Sequence, residues 1–573
     1  MLVGFVLCSV GPVDAATHRF GDISISYEPQ PTKEGTTDYE WTVGYCELRF
    51  LLTNHSDSVA HTVRLAYPRS NDRGMGLELL RNSRTVQIPP SSSMTVSLFQ
   101  PALDVHDERM AVEIDGRQME ISVPVPLPFE RGYSGRYKTT NELAVLTSRN
   151  IPESFRDDTR TSNSDAVVFF RSELDVNQWS PNWLGYTVYQ AVLMTQKELD
   201  SLPADIQRAL RRYVEVGGRL LVYHETDDAE LTVPADMKGT RGFDGAEELG
   251  LGVIVKSPRS GKWPESFWNV WTTENAAMAE NHSGADAQRH VPVRSLLALV
   301  IGFAILIGPV NIWILARRQK RMWLWWNVPL ISFLTCLTVF AYSLLAEGVH
   351  TRSSQAVLTV LDESTHHAAS LGSVYYYTPL SLPDGLRFSP DTEVSDPEQL
   401  DNFWRRTGRA KSLDWTKDQH LTSGWVSPRI PANYAIRKSE IRRERLAIRK
   451  GDDGTVTVVN GLGADLESVL VRSSDGSFWE GSNIPGGAEQ KLTRKSDVKE
   501  VPETPEPRRT LLARGLRYAC QELRENPQRY LRPGEYVAVM KESPFLEQTV
   551  NGARDVGSLG IVFGLGAGDG HGN

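Results

Sequence analysis

A chain of 573 residues with 23% charged side chains and a formal net charge of -9 has room for about three to five folded units. Its Lys and Arg are scattered among Asp and Glu, which excludes the basic face that a nucleic-acid-binding protein needs. Four cysteines in this length exclude a disulfide-held scaffold.

Met1 to Val10 form a short apolar run, and Val13-Asp14-Ala15 before Ala16 carries the small residues of a signal-peptidase site. Residues 1–16 are therefore expected to be a signal peptide. The run lacks the usual Lys or Arg ahead of it, which points to a late start codon or a shortened leader. Residues 17–130 read as an immunoglobulin-like β-sandwich. Cys46, Leu48, Phe50 and Leu52 alternate on one face, Asn54-His55-Ser56-Asp57 supplies a turn, and Met94, Val96 and Leu98 resume the period of two.

Residues 133–285 change to an α/β pattern. Leu143–Thr147 and Ala166–Phe170 are buried-strand runs, and Ala191–Met194 opens a strand-helix-strand unit. Thr195 and Glu198 have capping-box spacing; Leu199, Leu202, Ile206, Leu210 and Tyr213 fall on one helical face. Pro203 is expected to bend the first turns, Gly217-Gly218 to end the helix, and Arg219–Tyr223 to return as a parallel strand.

Two runs, Ser295–Leu315 and Met322–Ala346, contain no Asp, Glu, Lys or Arg, and a basic turn lies between them. Each is long enough to cross a hydrocarbon core, so residues 295–346 predict a transmembrane hairpin. The cationic turn places the loop in the cytoplasm and both large flanks outside. Trp313, Trp323, Trp325 and Trp326, with Arg317, Arg318, Lys320 and Arg321, are the expected membrane-interface anchors. Residues 350–500 read as a mainly-β exterior domain, with strands at Leu446–Ile448, Thr455–Val459, Val469–Val471 and Phe478–Trp479 separated by turn signals. Residues 501–573 read as a linker, a helix over Thr510–Glu525, carboxy-terminal strands and a flexible tail.

The strand, capped helix, Gly-Gly and strand, with Asn182-Trp-Leu-Gly-Tyr186 ahead of them, resemble the class I glutamine-amidotransferase-like, flavodoxin-type domain. Followed by Ile307-Gly-Pro-Val-Asn-Ile312, the basic turn and the second apolar run, the stretch Tyr133–Thr378 resembles an uncharacterised family of bacterial two-span envelope proteins. That resemblance implies an architecture and a membrane location and brings no activity with it. An amidotransferase needs a Cys at a strand-to-helix elbow, and no cysteine occurs between Cys46 and Cys336.

His224-Glu225 follow a strand at the carboxyl edge where α/β folds place ligands, and are the candidate ligand contact. No catalytic residue, metal ligand or cofactor motif is assigned: His366-His367 and the pair His282 and His290 lack suitably spaced co-ligands. Cys46 and Cys520 are left open as a bridge or two thiols. The expected protein is a non-catalytic, membrane-anchored envelope component, two-pass in the inner membrane. Its partners would be the lipid bilayer and a protein or glycan bound by the exterior domains. The alternatives are an accessory subunit of a transporter or envelope-assembly complex, and a hydrolase with a site near His224.

Overall fold

The described residues of the computed structural model are 17–34, 44–67, 80–101, 109–119, 123–124, 143–156, 167–226, 230–241, 246–257, 293–317, 324–347, 350–395, 411–451, 454–496, 511, 516–550 and 552–565. They are mostly β. The expected leader, residues 1–16, lies outside them.

The amino-terminal strands are β1 (Thr17–Phe20), β2 (Ile23–Tyr27), β3 (Thr32–Lys33), β4 (Tyr45–Asn54), β5 (His61–Tyr67), β6 (Leu80–Ile88), β7 (Ser93–Pro101), β8 (Arg109–Ile114), β9 (Arg117–Gln118) and β10 (Val123–Pro124). β1-β2-β4-β7 form one antiparallel sheet, and β10-β8-β5-β6 form part of a second. The alternation in β4 works as read: Cys46, Leu48, Phe50 and Leu52 are buried in a core shared with Val63, Leu65, Val96 and Leu98.

Next come β11 (Leu143–Thr147), β12 (Val167–Arg171), β13 (Ala191–Thr195), β14 (Arg219–Tyr223), β15 (Thr240–Arg241), β16 (Glu247–Leu249) and β17 (Gly252–Ser257). β12, β11, β13, β14 and β17 are parallel neighbours in that order, as suits apolar strands buried on both faces. β3 closes one edge and the hairpin β15-β16 the other. The crossover from β13 to β14 carries two helices, α1 (Gln196–Asp200) and α2 (Ala204–Glu215). Thr195 and Glu198 close the capping box. Pro203, without an amide hydrogen, separates two helices instead of bending one. Gly217, at φ 110°, turns the chain where a side chain would be strained.

The two uncharged runs do not form the expected hairpin of spans. The first is α3 (Val293–Ile305), a widened π-helical turn over Leu306–Val310 and α4 (Asn311–Arg317), which follow one another without a break. Pro309 lies in that turn and removes a backbone donor the helix would need. The second run is α5 (Leu324–Glu347), with Pro329 inside it. Among the described residues, no helix is long and apolar enough to cross a membrane. The transmembrane hairpin is therefore corrected, and the two-pass inner-membrane location with both flanks outside falls with it. Freedom from charge sets composition, whereas a crossing needs a regular helix of sufficient length and apolarity. Leu297, Ile301, Trp313, Trp325, Trp326 and Phe333 on these helices are exposed.

The remaining strands are β18 (Arg352–Asp362), β19 (His367–Tyr377), β20 (Leu386–Phe388), β21 (Thr392–Ser395), β22 (Lys411–Asp414), β23 (Gln419–Ser423), β24 (Ala432–Ile441), β25 (Arg445–Lys450), β26 (Val456–Gly461), β27 (Leu466–Arg472), β28 (Phe478–Ile484), β29 (Glu489–Lys491), β30 (Thr493–Arg494), β31 (Glu535–Met540), β32 (Arg554–Asp555) and β33 (Leu559–Leu565), with helix α6 (Leu516–Glu525) ahead of β31. A ten-stranded sheet runs β21-β24-β19-β18-β33-β31-β27-β28-β30, with β32 beside β18; β25-β26-β29 form a smaller one. β22, β23 and β20 instead complete the second amino-terminal sheet, through parallel pairing of β22 with β6.

The parts are therefore interlocked. The Tyr45 hydroxyl on β4 donates to the Val394 carbonyl on β21 (3.0 Å) and also meets the Gln419 side chain on β23. Gly44 lies so close to the Thr187 carbonyl that a Cβ there would sit 2.2 Å from its oxygen. The expected class, a β-sandwich, an α/β domain, a membrane hairpin and a mainly-β domain in series, is corrected to a mostly β body whose regions share sheets and, in its largest buried cluster, a core that runs from Ile23 through Trp183 to Tyr434.

Candidate functional site

In the parallel sheet the first strand in sequence, β11, lies between the second, β12, and the third, β13. Connections leaving the carboxyl ends of β11 and β13 diverge, and such a switch point is where open α/β sheets make a crevice. An open cleft of about 630 Å³ lies there, within the usual size range of small-molecule sites. Asn150 reaches it from beyond β11, Asp175 and Asn177 from beyond β12, Thr195, Gln196, Lys197, Glu198 and Ser201 from the end of β13 and from α1, and His224 and Glu225 from beyond β14. The sequence-predicted contacts His224 and Glu225 are thus brought together in one cleft.

At its centre is Glu198, only 6% exposed. One carboxylate oxygen accepts from the Thr195 amide (2.8 Å), the Thr195 hydroxyl (2.9 Å) and the Ser148 hydroxyl (2.8 Å); the other accepts from the Asn150 amide side chain (2.7 Å). Beside it, Arg149 and Asp175 pair at 2.6 Å, and Asp175 also accepts from the Asn177 amide. This wall is self-satisfied. His224 differs: it is 6% exposed, and its Nε2 is buried with no hydrogen-bond partner. Burial, reinforced by the Lys256 charge and opposed by Asp200, holds its pKa below the ordinary histidine value, so the ring is neutral at neutral pH. Such an orphaned polar atom costs free energy unless something pairs with it. Glu225, Lys197 and Asn177 are exposed at the rim.

None of the hydroxyls here is paired with His224. Ser201 donates to the Lys197 and Glu198 carbonyls and Ser148 donates to Glu198. Sequence reasoning identified Glu198 as a cap and missed it as the centre of this wall. The signal was present, because a capping box placed directly after a parallel strand must lie at the sheet's carboxyl edge.

Of the expected interface anchors, Trp313, Trp325 and Trp326 are exposed and the Arg317 guanidinium lies 5.5 Å from the centre of the Trp313 ring. Arg318, Lys320, Arg321 and Trp323 lie outside the described residues, as do His282 and His290. His367 is engaged by Glu215 at 3.3 Å. Among the described residues no group of three or more His, Cys, Asp or Glu is placed to hold a metal ion. Cys46 is a buried free thiol, donating to Gln30 at 3.7 Å, and burial pushes its pKa up.

No family model matches this chain, and no curated protein matches it. Among solved structures, a yeast delta-COP-I mu-homology domain complexed with a Dsl1 WxWxV peptide aligns with 38% of this chain and 95% of its own, at 7% identity and a TM-score of 0.17. A likeness that low carries no argument.

Proposed function

We propose that this chain is a non-catalytic binding protein whose interlocked body presents the switch-point cleft to a protein or glycan partner. The observation that carries the reading is the buried, unpartnered Nε2 of His224, a residue lining a cleft whose other buried polar groups are satisfied. A buried group left unpaired is completed when a ligand reaches it, and the hydroxyls of Ser201 and Ser148 donate to Lys197 and Glu198 rather than to His224. The order of the parallel strands supports the flavodoxin-type part of the sequence resemblance.

The test is a paired screen of the purified protein for binding to immobilised glycans and proteins and for turnover of ester, amide and glycosidic substrates. Binding that is lost in a folded His224→Ala variant, without turnover, is the expected result. Turnover that disappears in the same variant overturns the reading in favour of a hydrolase.

The exposed apolar side chains of α3, α4 and α5 favour a second reading, an accessory subunit that docks on a partner protein through these helices. Trp325→Glu with Phe333→Glu then removes a stoichiometric partner from the purified complex. Recovery of the same complex with both changes in place counts against it.

A further inference from the structure

We infer that the cleft takes a neutral, hydroxyl-rich ligand, a glycan segment, because Glu198 already occupies its anion-binding position. The inference rests on the binding reading above and names the ligand class. Carboxyl edges of parallel sheets commonly hold anionic groups on converging donors. Here the Thr195 amide, the hydroxyls of Thr195 and Ser148, and the Asn150 side chain converge on one of the chain's own carboxylates, at 2.7 to 2.9 Å. A phosphate or carboxylate ligand would have to displace Glu198 and would then face Glu225, the charge of Asp175 being matched by Arg149.

What remains unpaired suits a sugar. His224 lines the cleft and its Nε2 is buried without a partner; in the neutral imidazole that nitrogen accepts or donates depending on tautomer, so a hydroxyl that reaches it answers either form. Glu225 accepts and Lys197 donates at the rim, a mixture that pairs with vicinal hydroxyls and gives no net attraction to an anion. A peptide is less well served. Peptide grooves rely on apolar pockets or an open strand edge, whereas the apolar lining here is Val176 and the Tyr223 ring, both buried, with Tyr223 packed on Phe155 at 5.0 Å.

The experiment titrates the full chain, by calorimetry and by the His224 imidazole NMR signals, with neutral tetrasaccharides of glucose and of N-acetylglucosamine and separately with inorganic phosphate. The expected result is saturable binding of a neutral tetrasaccharide that moves the His224 signals, weakened at least tenfold in His224→Ala, and no phosphate binding at the cleft. Phosphate that saturates the wild-type cleft overturns the inference, as does the absence of neutral saccharide binding. If a protein partner binds in a His224-dependent manner while saccharides do not, the ligand class is wrong and the binding reading stands. If neither binds and a substrate is turned over, both fall.

Discussion

Two buried carboxylates lie toward opposite ends of the α1–α2 crossover and are held in opposite ways. Glu198, next to β13, is fixed by Thr195, Ser148 and Asn150, all from the same parallel unit. Glu215, the last residue of α2 and 3% exposed, faces the ten-stranded sheet. It accepts from Arg211 at 2.7 Å, from Ser439 on β24 at 2.7 Å and from His367 on β19 at 3.3 Å. Arg211 in turn donates to Thr365. One end therefore belongs to its own unit and borders an open site; the other is a seam whose partners come from a separate sheet. A carboxylate satisfied locally leaves its surroundings free to serve a ligand, and one satisfied across a seam commits two regions to a single geometry.

The largest effect that sharpens this contrast is expected from Glu215→Ala. Removing one member of a buried charged network leaves Arg211 uncompensated and costs about 3–5 kcal/mol, read as a lowered denaturant midpoint. A loss near that of a surface substitution would mean that the seam is not held by this group. The seam also has a pH signature. Burial pushes the Glu215 carboxyl up, but the hydrogen bonds and charges of His367 and Arg211 outweigh it and hold the group below its ordinary value of 4.5. A carboxylate depressed in the folded state stabilises above its unfolded value, and that contribution is lost as pH falls through the folded value. The stability gap between wild type and Glu215→Gln is therefore expected to be full above pH 4.5 and to shrink below it. A gap that widens with acid breaks the argument.

At the cleft end, Glu198→Ala removes a capping box and the acceptor for Ser148 and Asn150, with an expected loss of about 1–2 kcal/mol. Equal losses at Glu198 and Glu215 would erase the distinction between local and seam carboxylates. The smallest effect on stability belongs to His224→Ala. Its Nε2 has no partner to lose, so the loss comes only from the packing of a ring that is 6% exposed, about 1 kcal/mol, while ligand binding is lost. A strongly destabilised His224→Ala would make the residue a structural member of the core.

Local chemistry was legible in the sequence wherever the determining residues are neighbours. The alternation of β4, the Thr195–Glu198 box, the turn at Gly217 and the parallel return of β14 all follow from side chains a few positions apart. His224 was legible because a strand end defines an edge. What failed to show is pairing across long separations. Nothing in Lys411–Asp414 announces a partner at Leu80–Ser83, and nothing in Tyr45 announces Val394. The apolar runs misled for a related reason. Hydropathy counts what is in a segment, whereas the widened helical turn at Leu306–Val310 depends on the one backbone donor that Pro309 lacks.

The position of β33 has a consequence for biosynthesis. This strand lies in the interior of the ten-stranded sheet, parallel to β18 on one side and antiparallel to β31 on the other. Its two glycines are matched to that slot: a Cβ at Gly564 would fall 2.0 Å from the Tyr536 ring, and one at Gly560 would fall 2.8 Å from the Met540 side chain. As the ribosome delivers the chain, β18 and β31 emerge with facing edges unpaired until residues 559–565 arrive to bridge them. Until then those edges are unpaired templates for other strands, so the synthesis of residues 559–565 sets when the sheet can close.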